Sequence, residues 1–240
     1  MHRRHLLIRT ALASGVLLRR PDAAAASLDT ALQQRLALCT PGDALARLLE
    51  GNGRFAAAWA AASGTASAPE RQAMLRQVWE GACQLDPQAL AQGQRPWAAI
   101  LSCADARVDP GWIFACTAGE LFQVRSAGNT AFPEALASLE YAVSILEVPL
   151  VLVMGHSDCG AVKAAMGSGA LTPLLEKLVT PIRASLQSRD DLTQAVQGNA
   201  RYAAGQLTAR SAVLKGAVEG AKLSIRSAFF DIGSGRVSLL

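Results

Sequence analysis

Short runs of consecutive apolar residues, each closed by small or polar turn formers, punctuate the second half of the chain. Trp97-Ala98-Ala99-Ile100-Leu101 leads into Ser102-Cys103, and Leu150-Val151-Leu152-Val153-Met154 leads into Gly155-His156. Runs this short, without strict alternation, read as strands covered on both faces, the habit of parallel sheets. The pattern predicts strands over residues 98–102, 121–125, 150–155 and 223–231. Leu136, Leu139, Val143 and Leu146 recur at helical spacing and predict a helix over 134–146. Further helices are predicted over 43–62 and 69–83, separated by a loop of Ser, Gly, Thr, Ala and Pro. Strands interleaved with helices predict an α/β fold, a single domain with a mostly parallel central sheet flanked by helices. Residues 27–240 are long enough to give that domain a sizeable core.

The candidate chemistry stands where these runs end. Cys103 closes the first, while His156 and Cys159 lie in the Gly155-His156-Ser157-Asp158-Cys159-Gly160 turn that closes another. Open α/β sheets place their sites at such strand ends. Two thiols and an imidazole form a soft ligand set suited to zinc, and three protein ligands leave the fourth tetrahedral position for water or substrate. His156 is also the sole histidine beyond the first five residues. The short His156-to-Cys159 spacing lets one turn present both side chains to one ion, with Cys103 arriving from a second strand.

With these residues in place, the chain resembles the beta-class carbonic anhydrases. Cys103-Ala104-Asp105-Ala106-Arg107-Val108 is similar to their C-S-D-S-R-V segment and Gly155 to Gly160 to their G-H-x-x-C-G segment. Leu48-Leu49-Glu50-Gly51-Asn52-Gly53-Arg54-Phe55 is similar to the opening helix motif L-x-x-G-N-x-R-F. Arg125-Ser126-Ala127-Gly128-Asn129 resembles the R-x-A-G-N loop, and Ser138-Leu139-Glu140-Tyr141-Ala142-Val143 the S-L-E-Y-A-V helix. The likeness extends from about residue 43 to the C-terminus.

The resemblance implies a single zinc ion per chain on Cys103, His156 and Cys159, with Asp105 and Arg107 as a catalytic dyad beside it. It implies reversible hydration of carbon dioxide to bicarbonate and a proton through zinc-bound hydroxide, Asp105 aiming the nucleophile and Arg107 holding Asp105. In part of the family the arginine contact breaks and the aspartate takes the fourth zinc position. Gln94, Phe122 and Tyr141 match positions that bind substrate or wall the pocket from a partner subunit, which implies a homodimer or homotetramer. Relatives with similar pockets hydrolyse carbon disulfide or carbonyl sulfide, and a non-catalytic zinc-binding homologue is the remaining alternative. The chain departs from the family pattern at Ala104 and Ala106, which remove two hydroxyls near the dyad. It departs again at Ala115 and Cys116, which put a different turn and an extra thiol nearby.

The N-terminus addresses export. Residues 1–26 join a basic start with Arg3-Arg4, an apolar middle interrupted by Arg9, and four alanines at 23–26 suited to signal-peptidase cleavage. The Arg3-Arg4-His5-Leu6-Leu7 order resembles a twin-arginine signal, with a Sec signal or a weak membrane anchor as alternatives. The expectation is a periplasmic enzyme whose mature part is residues 27–240. The full chain carries 23 Lys plus Arg and 19 Asp plus Glu. Five arginines and one aspartate fall within residues 1–26, so the mature part has 18 of each sign and no net charge. That balance gives no electrostatic reason to expect a nucleic-acid partner, and no apolar run is long enough for a membrane span in the mature form. With Cys103 and Cys159 assigned to metal, Cys39, Cys83 and Cys116 remain. A Cys39–Cys83 disulfide and three free buried thiols both stay open at this point.

Overall fold

The computed structural model describes residues 23–65, 67–187 and 191–240. Among these described residues, ten α-helices and five strands follow one another as α1 (Ala23–Leu36), α2 (Ala44–Ser63), α3 (Ala68–Arg76), α4 (Pro87–Gln92), β1 (Ala98–Cys103), α5 (Pro110–Ile113), β2 (Leu121–Ser126), α6 (Pro133–Ser144), β3 (Leu150–His156), α7 (Gly160–Met166), α8 (Pro173–Ser185), α9 (Leu192–Arg210), α10 (Ala212–Glu219), β4 (Ser224–Asp231) and β5 (Arg236–Leu239). The sheet runs β2-β1-β3-β4-β5. Its first four strands are parallel, and β5 turns back antiparallel on β4. The fold is therefore the single-domain α/β arrangement with a mostly parallel sheet that the apolar runs predict. The two central strands β1 and β3 are buried at every position.

Alternation along β1 and β3 divides the core between the two faces of the sheet. Ala98, Ile100, Leu152 and Met154 pack with Leu48 and Phe55 of α2 and with Ile113 and Phe114. Ala99, Leu101, Val151 and Val153 pack with α6, α9 and α10 through Leu139, Leu207 and Leu214. Helix α2 begins where Asp43 accepts a hydrogen bond from the Ala46 amide at 3.0 Å, a side-chain cap. Its buried face runs through Leu48, Gly51, Asn52, Phe55, Ala56 and Ala62, a helical period. Gly51 is needed on this face because a Cβ there would fall 1.9 Å from the Phe114 carbonyl oxygen. The neighbouring Asn52 side chain donates to the Ile113 and Gly235 carbonyls at 3.2 and 2.9 Å and accepts from the Val237 amide at 2.8 Å. One side chain thus ties α2 to the end of α5 and to the C-terminal hairpin.

The predicted helix over 69–83 ends early, at Arg76, and a single 3₁₀ turn over Gln77–Trp79 follows it. Gly81 then takes a left-handed φ of 73° and swings Cys83 away from the helix axis. Cys83 is bonded to Cys39, 44 residues away, with the two Cα atoms 5.6 Å apart, which decides the cysteine alternatives in favour of one disulfide. Beside it, Arg35 at the end of α1 makes a bidentate ion pair with Asp86. The cross-link and the ion pair fasten α1 to the segment before β1. Closing a loop of this length stabilises the fold by about 4 kcal/mol in the chain-entropy account. The expected export signal lies outside the described residues except for its last four positions, which open α1. No helix among the described residues is long and apolar enough to cross a membrane.

Candidate metal centre and comparison with known proteins

The centre forms at the carboxyl ends of β1 and β3, where parallel strands stop and their helices begin. Cys103 is the last residue of β1, His156 the last of β3, and Cys159 directly precedes the first turn of α7. The turn between the last two is tight because Asp158 adopts a left-handed φ of 61°. The ligand atoms of Cys103, His156 and Cys159 lie within 4.8 Å of one another, and all three residues are buried. The two sulfurs are 4.0 Å apart. That is far beyond a disulfide bond of about 2.05 Å and close to the roughly 3.8 Å that separates two thiolates on one tetrahedral zinc ion.

The imidazole orientation points to the same use. His156 Nδ1 lies 2.9 Å from the Ser157 carbonyl oxygen, so Nδ1 carries the proton and Nε2 presents its lone pair. Nε2 is buried and has no hydrogen-bond partner. A buried acceptor left bare costs about 1–3 kcal/mol, and a cation in the space shared with the two sulfurs removes that cost. Two thiolates, one neutral imidazole and a buried pocket fit zinc by donor chemistry. The two thiols oppose each other's ionisation: their mutual contact, the first cause for both, pulls Cys103 down and pushes Cys159 up. A cation is what lets both sulfurs be ionised together.

Asp105 and Arg107 sit on the loop that leaves β1. Arg107 Nε and Nη2 donate to the two carboxylate oxygens of Asp105 at 2.9 and 2.8 Å, and the Arg107 amide donates to Oδ1 at 2.9 Å. The contact between the dyad partners is formed. Those bonds, the guanidinium foremost, hold the Asp105 carboxyl well below the usual carboxylate range. Asp105 Oδ2 lies 3.9 Å from His156 Nε2, which sets the carboxylate directly over the three ligands. Its side chain is 17% exposed and that of Arg107 47%, so the pair marks the outer side of a cluster that is otherwise sealed.

The loop keeps its shape without the serine hydroxyls replaced by Ala104 and Ala106. Arg125 of β2 reaches across and donates to the carbonyls of Cys103, Asp105 and Val108 at 3.2, 2.9 and 2.7 Å. Asp158 takes part as well: Arg107 donates to its Oδ2 at 3.5 Å and to its carbonyl at 3.4 Å, and Lys163 pairs with its carboxylate. Arg125 and Asp158 carry the motif segments in sequence, yet only the folded chain shows what they hold. Cys116 stands apart from the ligands. It packs with Phe114 and Trp97 on the other face of the sheet, donates to the Phe114 carbonyl at 3.4 Å, and is pushed up to about 12 by burial. It offers no competing ligand at the centre. The changed turn beside it is real, with Ala115 at a φ of 49°.

Gln94, Phe122 and Tyr141 are not brought to this centre within one chain. Gln94 is an exposed residue of the loop before β1. Phe122 pairs with Ala99 while Ser126 pairs with Cys103, which puts Phe122 four residues, or about 13 Å, down the strands from the ligands. The Phe122 and Tyr141 rings lie 6.3 Å apart, and Tyr141 is 45% exposed.

Comparison with known proteins agrees with this architecture. A family model described as carbonic anhydrase matches residues 98–237, more than half of the chain. The chain is 35% identical over 161 residues to carbonic anhydrase 2 of Mycobacterium tuberculosis, covering 62% of this chain and 77% of that protein. It is 35% identical over 162 residues to a carbonic anhydrase of Mycolicibacterium smegmatis, covering 63% of this chain and 78% of the relative. Among solved structures, a tetrameric beta-carbonic anhydrase from Sordaria macrospora superposes with a TM-score of 0.59 at 25% identity, covering 64% of this chain and 84% of that one. A Coccomyxa beta-carbonic anhydrase in complex with acetazolamide superposes with a TM-score of 0.58 at 27% identity, covering 73% and 87%. The family match spans both ligand-bearing strands and the sheet that joins them, and the chain belongs to the beta-class carbonic anhydrase family.

Proposed function

We propose that the protein catalyses reversible hydration of carbon dioxide to bicarbonate and a proton, using one zinc ion per chain held by Cys103, His156 and Cys159. The observation that carries this reading is the bare, buried Nε2 of His156 converging with two sulfurs beneath an aspartate already clamped by arginine. The names of the relatives support the activity class. Zinc bound there supplies Lewis acidity that lowers the pKa of water toward roughly 7. The chain supplies the remainder. Asp105, ionised throughout the working pH range, accepts a hydrogen bond from the O–H of the attacking group and so turns that oxygen's lone pair toward the substrate carbon. Arg107 keeps that carboxylate charged and prevents it from swinging into the ligand cluster. His156 Nδ1 donates to the Ser157 carbonyl, which turns Nε2 toward the two sulfurs as a ligand.

The pocket residues and the assembly belong to the same proposal. Gln94, Phe122 and Tyr141 act on substrate from a second copy of the chain, in a homodimer or homotetramer. Their distance from the ligands of their own chain supports this, as do the exposed Tyr141 on α6 and Ile145 just after it and the tetrameric relative. Export to the periplasm, with residues 1–26 as a twin-arginine signal, is supported by the arginine pair near the N-terminus and by the Cys39–Cys83 disulfide, a bond that persists in oxidising compartments.

The test is stopped-flow carbon dioxide hydration by the purified mature protein from neutral to alkaline pH, with zinc quantified on the same sample. The expected result is rapid turnover at about one zinc per chain. Zinc-replete protein without turnover overturns the hydration reading and redirects the assay to carbon disulfide and carbonyl sulfide.

A further inference from the structure

A chain of buried contacts reaches Cys103 from α9, which packs on the same side of the sheet. The Gly128 amide donates to Cys103 Sγ at 3.3 Å. Gly128 adopts a φ of 80°, and a Cβ there would lie 2.6 Å from Ile182 Cδ1 and 3.1 Å from the Ala161 Cβ. The peptide is therefore wedged where only glycine fits. Its carbonyl oxygen accepts from Asn199 Nδ2 at 2.8 Å. Asn199 lies on α9 and is 1% exposed, and its Oδ1 faces the Ser185 hydroxyl of α8 at 3.5 Å. Nothing in the proposed chemistry requires a buried amide on α9, and an asparagine in a helix interior is a costly choice unless its polar atoms are used.

We propose that Asn199 is a positioning residue for the metal centre: by holding the Gly128 carbonyl it fixes the Gly128 amide against Cys103 Sγ, and so sets how much charge that thiolate gives to the metal. The proposal rests on the assignment of Cys103 as a metal ligand. A hydrogen bond to a thiolate withdraws electron density from it, and outer groups that orient metal ligands act on both affinity and electronics. Without Asn199 the Gly128 carbonyl has no donor, the peptide turns, and Cys103 loses its amide contact. The thiolate then becomes more electron-rich and less well placed.

Cobalt(II) and zinc(II) alone serve as probes, on the full mature chain. In Asn199→Ala, and in the near-isosteric Asn199→Asp whose carboxylate cannot donate to Gly128, zinc affinity from chelator competition falls about ten- to hundred-fold. The thiolate-to-cobalt charge-transfer band moves to longer wavelength in both. Leu207→Ala is the control, because Leu207 is fully buried on the same helix but packs in a different part of the core. It lowers the melting temperature while leaving the cobalt spectrum and zinc affinity as in the wild type. Ser185→Ala keeps the Asn199 donor and retains a wild-type spectrum. Unchanged affinity and an unchanged band in both Asn199 variants overturn the positioning role. A Leu207→Ala protein that shows the same metal defects overturns it too, by reducing the effect to lost stability. Wild-type protein that takes up neither ion removes the metal assignment itself, an outcome distinct from a normal wild type with normal variants.

Discussion

The two ends of β1 each carry a buried polar group of residues, and they are completed in opposite ways. Before β1, the Trp97 amide bonds to the Glu120 carbonyl, and the Glu120 carboxylate is 1% exposed. Its Oε2 accepts from the Thr117 amide and hydroxyl, and Arg47 stands 3.8 Å from Oε1. Arg47 also donates to the Ala115 carbonyl and lies over the Trp97 ring. This cluster contains its own cation and locks α2 to the loop before β2. After β1, Cys103, His156 and Cys159 present three lone-pair donors, and the two arginines beside them are already committed, Arg107 to Asp105 and Arg125 to backbone carbonyls. A buried acid beside a protein cation is a structural pair, whereas converging soft donors without one call for a cation from outside. Donor softness and the missing counter-charge, and not burial or the number of polar groups, separate the two.

Substitutions can break or sharpen that contrast. The largest effect is expected from Cys159→Ser, which exchanges a soft ligand for a poor one. Zinc content by mass spectrometry and hydration activity should both collapse, and a zinc-loaded variant would dissolve the assignment. Asp105→Asn should keep zinc at the wild-type level but lower kcat/KM by about 10²-fold or more, the usual cost of misplacing an attacking group; full activity would take Asp105 out of the chemistry. At the other end of the strand, Arg47→Met leaves the Glu120 charge buried without its partner. Chemical denaturation should show a loss of about 3–5 kcal/mol, while zinc per folded chain stays constant. Zinc loss in step with stability would mean that the two clusters are not independent.

The smallest effect concerns the hairpin that supports His156 from β4. The Phe230 carbonyl accepts from the Ser157 amide, and the Ser157 hydroxyl accepts from the Ile232 amide. Between these two residues, Asp231 is held below the usual carboxylate range, first by the Ser234 hydroxyl. A depressed carboxyl pKa contributes stability above the unfolded-state value of about 3.9 and loses it as pH falls through the lower folded value. Asp231→Asn should therefore cost at most about 1 kcal/mol near neutral pH, solvent screening limiting it. Thermal melts of the two proteins should converge in strong acid; a gap that persists there would assign the loss to packing.

The sequence was most informative where the determining contacts are local. Both central strands are legible because a parallel strand covered on both faces must be apolar along its whole length, and Cys103 and His156 end those runs. Helix α2 is legible within a residue, since Asp43 caps it and its apolar face repeats at 3.6 residues. Helices α8 and α9 are not. Pro181 reads as a helix breaker although the first runs straight through it, and the second packs through Ala195, Ala200 and Ala203 with glycines at 198 and 205, so it shows no strong apolar stripe. Nothing in the sequence marks Asn199, and its burial is explained by its bond to the Gly128 carbonyl in the loop after β2.

What the sequence determined alone is the candidate chemistry: three soft donors that could hold a metal, the carboxylate and guanidinium beside them, and the strand ends that carry them. These follow from residue type and short spacing, which act over a few bonds. Tertiary structure decided the rest. It joined Cys39 to Cys83 across 44 residues, sent Cys116 to the opposite face, closed Arg107 on Asp105, braced their loop with Arg125, and kept Phe122 and Tyr141 away from the ligands of their own chain. Each of those outcomes depends on which segments the parallel sheet brings side by side, and a crossover connection sets that partner only once its helix has packed.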